Sequence, residues 1–324
     1  MLLAVAGCGS GGAPSAGQPE PEVTFGDEAR PPASPAVLEA ERLLASGEAE
    51  AAARVLREAV AESPTDGRAL LDLGLALEMQ GRVEDAEAAY ERATEAAPGL
   101  AEASNNLGVL RRERGDLEGA VAALRQAVQA DPALASAHLN LGLALEEADR
   151  RVEAEAAYRR AMTLAPTDPS PRVQLGLLLV ALEQRAEALG VLRPAVDLAA
   201  GDRALLSALG NGLRRAGDPQ MAVRALREAI GADDDPAPPP VRAELALALY
   251  AAEHPEQAEA ELGTLLAEAP DYAVGHYLLG HMLAQRGADR EAARAFARYL
   301  DLEPEGPQAE RARARLRELA GRRP

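Results

Sequence analysis

The sequence has no lysine, no tryptophan and a single cysteine, and aromatic residues make up only 2% of the chain. Hydrophobic residues nevertheless account for 48% of its 324 residues, so this apolar content is largely Ala and Leu, which are good helix formers. Strands prefer β-branched and aromatic residues, yet isoleucine occurs once, at Ile230. These shortages disfavour a β-rich fold, and one cysteine excludes a domain held by internal disulfides.

The charge of the chain has one dominant sign. Its 34 basic side chains are all arginine and stand against 52 acidic ones, which gives a formal net charge of −18 and a pI near 4.8. An acidic surface repels phosphate, so the composition disfavours a nucleic-acid binder. The sequence also lacks an uninterrupted apolar run of about 18 residues, the length that a membrane-spanning helix needs.

Prolines at a fixed spacing reveal an internal repeat. Four of them are 34 residues apart, as are two more further on: Pro64, Pro98, Pro132 and Pro166, then Pro270 and Pro304. Between the two groups lie three periods and two extra residues, which we assign to the segment 233–240. Placing the proline at position 32 defines eight repeats: 33–66, 67–100, 101–134, 135–168, 169–202, 203–236, 239–272 and 273–306.

Small residues recur at two positions of this frame. Position 20 is alanine in every repeat: Ala52, Ala86, Ala120, Ala154, Ala188, Ala222, Ala258 and Ala292. Position 8 is glycine or alanine throughout, whereas position 24 is always large. Small residues at these positions allow two antiparallel helices to approach closely. The pattern resembles the tetratricopeptide repeat and extends over residues 33–306.

The resemblance implies an all-α fold, an α-solenoid of about eight helix-turn-helix repeats. No single repeat can bury its own apolar face, so the array is stabilised by stacking. Residues 307–324 hold six arginines and two glutamates and are predicted to form a capping helix with a basic tail. Tyr299, at a position that is usually alanine, is expected to lie beneath that helix. The basic helix either contacts anionic lipid or an acidic partner, or simply solvates the end of the array.

The N-terminus resembles a bacterial lipoprotein signal. The sequence Val5–Cys8 resembles a lipobox, in which cleavage before the cysteine leaves a thiol for lipidation, and residues 1–8 look like a truncated signal. Residues 9–32 are rich in Gly, Ser, Ala and Pro and are predicted to be a disordered tether. The resemblance implies a lipid anchor at Cys8 in the bacterial cell envelope, with the outer membrane favoured. The alternative is a cytoplasmic protein with a disordered N-terminus.

Catalytic and metal-binding motifs are absent from the sequence. There is no phosphate loop, no dinucleotide fingerprint, no HExxH and no nucleophile elbow. The four histidines do not cluster, and His276 and His281 are five residues apart rather than the four that place two ligands on one helix face. The sequence therefore predicts a protein that is not an enzyme and that needs no cofactor or metal.

A series of polar residues marks the candidate binding surface, because the first helices line the concave face in proteins of the family that this chain resembles. Position 6 is polar in repeats two to five: Asp72, Asn106, Asn140 and Gln174. Stacking turns the series into a ladder, and primary amides can bind the main chain of an extended peptide. Neighbouring groove positions would add further contacts: Leu71, Leu75, Asn105, Val109, Leu139, Leu143 and Leu177.

The sequences Asn106–Gly108 and Asn140–Gly142, both Asn-Leu-Gly, look like repeats of O-linked N-acetylglucosamine transferases. In those enzymes the asparagine series holds a peptide main chain, so the resemblance implies a peptide-binding groove. The alternative is that the asparagines satisfy local polar groups of the repeat. A carboxylate clamp for acidic chaperone tails is disfavoured, because few groove positions are basic and acids such as Glu102 surround them.

Taken together, the sequence predicts a non-catalytic scaffold that binds an extended segment of a partner protein, in the assembly of an envelope complex. The alternatives are a cytoplasmic adaptor or regulator, and a noncatalytic subunit of a glycosyltransferase or secretion complex. Nucleic acid is not expected as a partner, and contact with a membrane is expected only through the lipid anchor.

Overall fold

Seventeen α-helices and no strand make up residues 34–232 and 235–321, which are the residues described by the computed structural model. Sixteen of the helices form eight consecutive pairs. The first helices of the pairs are α1 (Pro35–Ala45), α3 (Gly67–Met79), α5 (Ala101–Glu113), α7 (Ala135–Glu147), α9 (Ser170–Ala181), α11 (Arg203–Ala216), α13 (Pro239–Ala251) and α15 (Ala273–Gln285). The second helices are α2 (Ala49–Glu62), α4 (Val83–Ala96), α6 (Leu117–Ala130), α8 (Arg151–Leu164), α10 (Arg185–Leu198), α12 (Pro219–Ile230), α14 (Pro255–Glu268) and α16 (Asp289–Leu302). The final helix is α17 (Ala309–Gly321), and the predicted all-α solenoid is confirmed.

The turn between the two helices of a pair has the same backbone conformation in every repeat. The residue at position 15 has a positive φ in all eight turns, a conformation that glycine adopts without steric cost. It is glycine in five turns: Gly47, Gly81, Gly115, Gly217 and Gly287. In the other three turns it is Asp149, Glu183 or Glu253. One left-handed residue thus reverses the chain in each repeat and holds the two helices antiparallel.

Glycine at position 8 brings the helices of a pair into close contact. A Cβ atom on Gly142 would lie 2.4 Å from the ring of Tyr158, and one on Gly108 would lie 2.4 Å from Leu124 Cγ. The large residue at position 24 therefore packs directly over position 8 of its own repeat. The alanine at position 20 is fully buried in all eight repeats. The small residues are explained by this packing, because a larger side chain would separate the helices.

The spacing between repeats differs on the two sides of the array. First helices of successive repeats contact one another, as α5 does with α7 and α11 does with α13, whereas second helices make no comparable contacts. Long side chains bridge the second helices instead, as in the ion pair between Arg125 Nη2 and Glu153 Oε2 at 2.7 Å. Unequal spacing of this kind curves the array with the first helices on its inner face. The inner groove is defined here as positions 5, 6, 9, 12 and 13 of α3, α5, α7 and α9.

Helix α17 closes the C-terminal end of the array. Tyr299 is fully buried beneath it, and the Tyr299 hydroxyl accepts a hydrogen bond from the Gln308 backbone N–H at 3.0 Å. Ala309, Ala312 and Leu319 of α17 are buried in the same apolar cluster. The predicted capping role of α17 and the position of Tyr299 agree with this packing. Cys8, the predicted tether and the last three residues lie outside the described part of the chain.

The two extra residues lie between α12 and α13, in the segment that lengthens the sixth repeat. Arg203, at the start of α11, joins the two sides of this link. Its guanidinium donates from Nε to the Ala229 carbonyl at 3.2 Å and from Nη2 to the Asp235 carbonyl at 2.6 Å. The apolar core continues across the junction, because one buried cluster runs from α6 to α15. The insertion therefore lengthens a link without interrupting the stack.

Candidate functional site

Exposed apolar side chains lie on the inner side of the first two repeats. Leu75 is 38% exposed and Met79 is 49% exposed on α3, and Leu38 of α1 is 50% exposed. Large apolar residues this accessible are few among the described residues. Sequence reasoning selected Leu75 but missed Leu38 and Met79, because most leucines of the first helices are buried and the pattern does not separate the two groups.

Most of the predicted groove residues keep accessible surface. Eight are half-buried on α5, α7 and α9: Asn105, Asn106, Val109, Leu139, Asn140, Leu143, Gln174 and Leu177. Two others differ from the prediction. Leu71 is buried in the core of the first three repeats, and Asp72 is only 9% exposed. These two residues have little surface with which to contact a peptide, because α3 turns this side toward its neighbours.

A directional chain of hydrogen bonds runs along the inner groove. Asn140 Nδ2 donates to Asn105 Oδ1 at 2.9 Å, and Asn105 Nδ2 donates to Asn106 Oδ1 at 3.2 Å. The Asn106 side chain lies near enough to the Tyr90 hydroxyl to lower its pKa, and that hydroxyl donates to Glu78 Oε2 at 2.7 Å. The asparagine bonds thus join α5 to α7, and the tyrosine bond joins α4 to α3. Hydrogen bonds in such a chain polarise one another, so the groups are held in fixed orientations.

The tyrosines at position 24 have their rings in the core, but their hydroxyl groups reach the inner groove. Burial raises the pKa of Tyr90, its hydrogen bond to Glu78 raises it further, and the Asn106 side chain lowers it. Tyr158 repeats the arrangement two repeats later. Its hydroxyl donates to Glu146 Oε2 at 2.8 Å. Burial is the main cause that raises the pKa of Tyr158, and this hydrogen bond raises it further. Both phenols therefore stay protonated at neutral pH and act as donors to the two glutamates.

Sequence reasoning missed these tyrosine–glutamate pairs, although a signal for them was present. Glutamate occupies position 12 only in repeats two and four, as Glu78 and Glu146, and tyrosine occupies position 24 only in the same two repeats. Two residues 12 apart that change together indicate contact across the helix pair. A repeat frame identifies positions that stay constant, whereas these two positions vary between repeats.

The arginines of the groove region are already paired. Arg68 contacts Glu41 of the first repeat, and Arg112 Nε lies 3.7 Å from Glu147 Oε1. A clamp for a peptide carboxylate needs cations that are free to bind it. The ion pairs agree with the sequence-based view that acidic chaperone tails are poor ligands.

The described residues hold neither a metal-binding cluster nor a membrane-spanning helix. Among residues 34–232 and 235–321, no group of three or more His, Cys, Asp and Glu side chains is arranged to hold a metal ion. His138 and His276 instead contact the backbone carbonyls of Pro132 and Pro270, at 3.1 and 2.8 Å. Within the described residues, the helices are also too short or too polar to cross a membrane.

Comparison with protein-family models gives matches along most of the array. A model described as a tetratricopeptide repeat matches residues 37–101, and two others with the same description match residues 137–172 and 213–282. A model described as a TPR repeat matches residues 110–148. Together these ranges cover more than half of the chain. No curated protein matches the sequence.

Solved structures of low sequence identity share the fold. The Cut9–Hcn1 hetero-tetramer of the APC/C aligns with a TM-score of 0.55 at 16% identity, over 88% of this chain and 55% of that one. A tetratricopeptide repeat protein from Parabacteroides merdae gives 0.53 at 15% identity, over 76% and 97% of the two chains. Pseudomonas aeruginosa pilF gives 0.52 at 21% identity, over 60% and 89%. The chain therefore belongs to the tetratricopeptide repeat proteins and has the architecture of a protein-interaction scaffold.

Proposed function

We propose that the inner groove of repeats two to five binds an extended segment of a partner protein. The observation that carries the proposal is the amide chain of Asn105, Asn106 and Asn140, which lies on half-buried surface beside exposed apolar side chains. A binding surface of this composition combines hydrogen bonding to a main chain with apolar contacts to side chains.

The amides keep hydrogen-bonding capacity beyond their mutual bonds. Each amide nitrogen has two N–H groups, and Asn105 and Asn140 each use one of them within the chain. Among the described residues, no donor reaches Asn140 Oδ1. The free N–H groups can donate to peptide carbonyls, and the Asn140 oxygen can accept from a peptide N–H. Binding through the main chain explains how one groove could accept segments of different sequence.

Changing Asn106 and Asn140 to alanine together is expected to weaken partner binding about 10-fold, because two hydrogen bonds of roughly 1 kcal/mol or less each are lost. The free energy of unfolding should fall by only about 1–2 kcal/mol, because the hydrogen bonds of Asn106 and Asn140 to Asn105 are lost on half-buried surface. The partner is first isolated by affinity capture with crosslinking, and its affinity for each variant is then measured by calorimetry.

The matched control removes two amides from the outer side of the array. Gln126 and Gln129 are exposed on α6, and changing both to alanine deletes the same chemical groups away from the inner groove. This control should bind the partner like the unaltered protein. Equal binding by the two double variants would contradict the proposed site. Unaltered binding together with strong destabilisation by the Asn106 and Asn140 changes would show that the asparagines are structural only.

We further propose that the scaffold works in assembling a complex of the bacterial envelope, held to a membrane by a lipid on Cys8. The proposal rests on the lipobox-like sequence Val5–Cys8 and on the polar segment that follows it. Cells supplied with a fatty-acid probe should label the protein, and Cys8→Ser should abolish the label. An unlabelled protein would leave the cytoplasmic adaptor as the better description.

A further inference from the structure

Two carboxylates in the inner groove have fixed positions and no cationic partner. Glu78 and Glu146 are half-buried, and each accepts a hydrogen bond from a buried tyrosine, Tyr90 or Tyr158. Within the described part of the chain, no arginine or histidine lies within 4 Å of either carboxylate. Because the tyrosine proton occupies one oxygen of each glutamate, the other oxygen is left for a ligand.

Several other acids on the inner side of the array are paired with arginine. Glu41 contacts Arg68, Glu147 contacts Arg112, and Glu244 Oε2 lies 3.1 Å from Arg214 Nη2. Arginine is therefore paired with carboxylates on several first helices, whereas Glu78 and Glu146 form no ion pair among the described residues. Arg112 is the nearby cation, because its charge lowers the pKa of Tyr158, but it is paired with Glu147. Glu113 is exposed on α5 and also forms no ion pair among the described residues, but only Glu78 and Glu146 are half-buried and held by a tyrosine hydroxyl.

The surroundings of Glu78 suit the stem of a long cationic side chain. Leu75 and Met79 lie on the same helix and are exposed, although both are large and apolar. Arginine and lysine side chains place their aliphatic carbons on apolar surface while their charged ends reach an acid. Leu143, which is half-buried on α7, lies one helical turn before Glu146. Each carboxylate is therefore preceded on its helix by apolar surface.

The uncompensated charge is confined to one part of the groove. In repeat five, positions 6, 9 and 12 are Gln174, Leu177 and Val180, none of which is charged. In repeat six, position 12 is Arg214, whose carboxylate partner is Glu244. The negative charge of the groove therefore belongs to repeats two to four and is not a uniform consequence of the net charge of −18.

We infer that the segment bound by the inner groove is cationic, with one arginine or lysine side chain on Glu78 and a second on Glu146. This inference rests on the proposed function and specifies the chemistry of its ligand. The amide chain between the two carboxylates holds the main chain of the segment, so the two cationic residues are separated by an extended stretch. A guanidinium can donate two hydrogen bonds to a carboxylate, which makes arginine the better fit.

The test uses the full chain and three fluorescent peptides of about 12 residues, roughly the length needed to follow the groove in extended form. Leucine and serine alternate in all three peptides, and two positions carry arginine, glutamine or glutamate. Fluorescence anisotropy should show the arginine peptide binding about 10-fold or more tightly than the glutamine peptide, and the glutamate peptide binding most weakly. The advantage of arginine should fall as salt is raised from about 0.05 to 0.5 M.

The decisive variant changes Glu78 and Glu146 to glutamine, which removes both charges and keeps an oxygen to accept the tyrosine hydrogen bonds. Its matched control is E58Q/E95Q, because Glu58 and Glu95 are exposed on second helices away from the groove. The groove variant should lose the preference for arginine, and the control should keep it. Equal losses in the two variants would overturn the inference, because they would show attraction to the whole acidic surface.

Failure of this inference can be told apart from failure of the proposed function. If the arginine and glutamine peptides bind equally, and both are weakened by the Asn106 and Asn140 changes, the groove binds peptide without charge selection and the inference is overturned alone. If the glutamate peptide binds best, the inference is again overturned while the groove stands. If none of the three peptides binds, both the inference and the peptide-binding groove are contradicted.

Discussion

Gly142→Ala is expected to destabilise the protein by about 2 kcal/mol, although alanine is the better helix former. The added Cβ would lie 2.4 Å from Cδ1 and Cε1 of Tyr158, closer than carbon atoms can approach. The tyrosine cannot move aside easily, because its ring is fully buried and its hydroxyl is held by Glu146. The helix pair must therefore separate. Chemical denaturation followed by circular dichroism measures the change.

The same substitution at Gly263 is the matched control. Gly263 lies inside α14, and a Cβ there would have no neighbour within 4 Å. Gly263→Ala should therefore stabilise the protein by up to about 1 kcal/mol through helix propensity alone. Changing Tyr158 to leucine should recover part of the loss at Gly142, because alanine at position 8 occurs only opposite leucine, as in Ala40 with Leu56. Similar effects at Gly142 and Gly263 would contradict the packing described above.

Tyr299→Ala should release helix α17 from the last repeat. The side chain is fully buried, its ring centroid lies 5.5 Å from that of Tyr277, and its hydroxyl accepts the Gln308 N–H. Truncating a buried aromatic residue costs about 3–5 kcal/mol. In a repeat array each repeat contacts only its neighbours, so the lost stability affects mainly the repeats beside the substitution. Exchange of amide hydrogens should therefore accelerate in α15, α16 and α17 while the central repeats change little.

Tyr299→Phe is the control for this prediction, because it keeps the ring and removes only the hydroxyl. It should cost about 1 kcal/mol, the typical net worth of one hydrogen bond. If Tyr299→Ala left the exchange of α17 unchanged, the capping role of this residue would be refuted. If it accelerated exchange evenly along the chain, the array would be unfolding as one unit.

Much of the fold could be predicted because the packing of each repeat is local. Position 8 meets position 24 of the same repeat, as Gly142 meets Tyr158, so the requirement for a small residue reappears every 34 residues. The backbone conformation at position 15 was harder to predict from the sequence. Five glycines suggest a left-handed turn, but Asp149, Glu183 and Glu253 adopt it as well because the helices on either side enforce it.

The candidate site could be predicted only in part, because its contacts cross repeats. The sequence identified Asn106 and Asn140 as a series but not the bonding between them, since Asn140 donates to Asn105 and not to Asn106. Which amide donates to which depends on side-chain rotamers in the stacked array. The burial of Asp72 was also missed, because periodicity shows that a residue lies on the first helix but not how closely the next repeat covers it.

The most direct test of the groove observes its amides while a ligand binds. Nuclear magnetic resonance of ¹⁵N-labelled protein resolves side-chain amide signals, which respond to new hydrogen bonds. When the captured partner segment is added, the signals of Asn105, Asn106 and Asn140 should shift together, and those of Gln126 and Gln129 on the outer side should stay in place. Shifts confined to the outer glutamines, with the three asparagines unmoved at saturation, would contradict peptide binding in the inner groove.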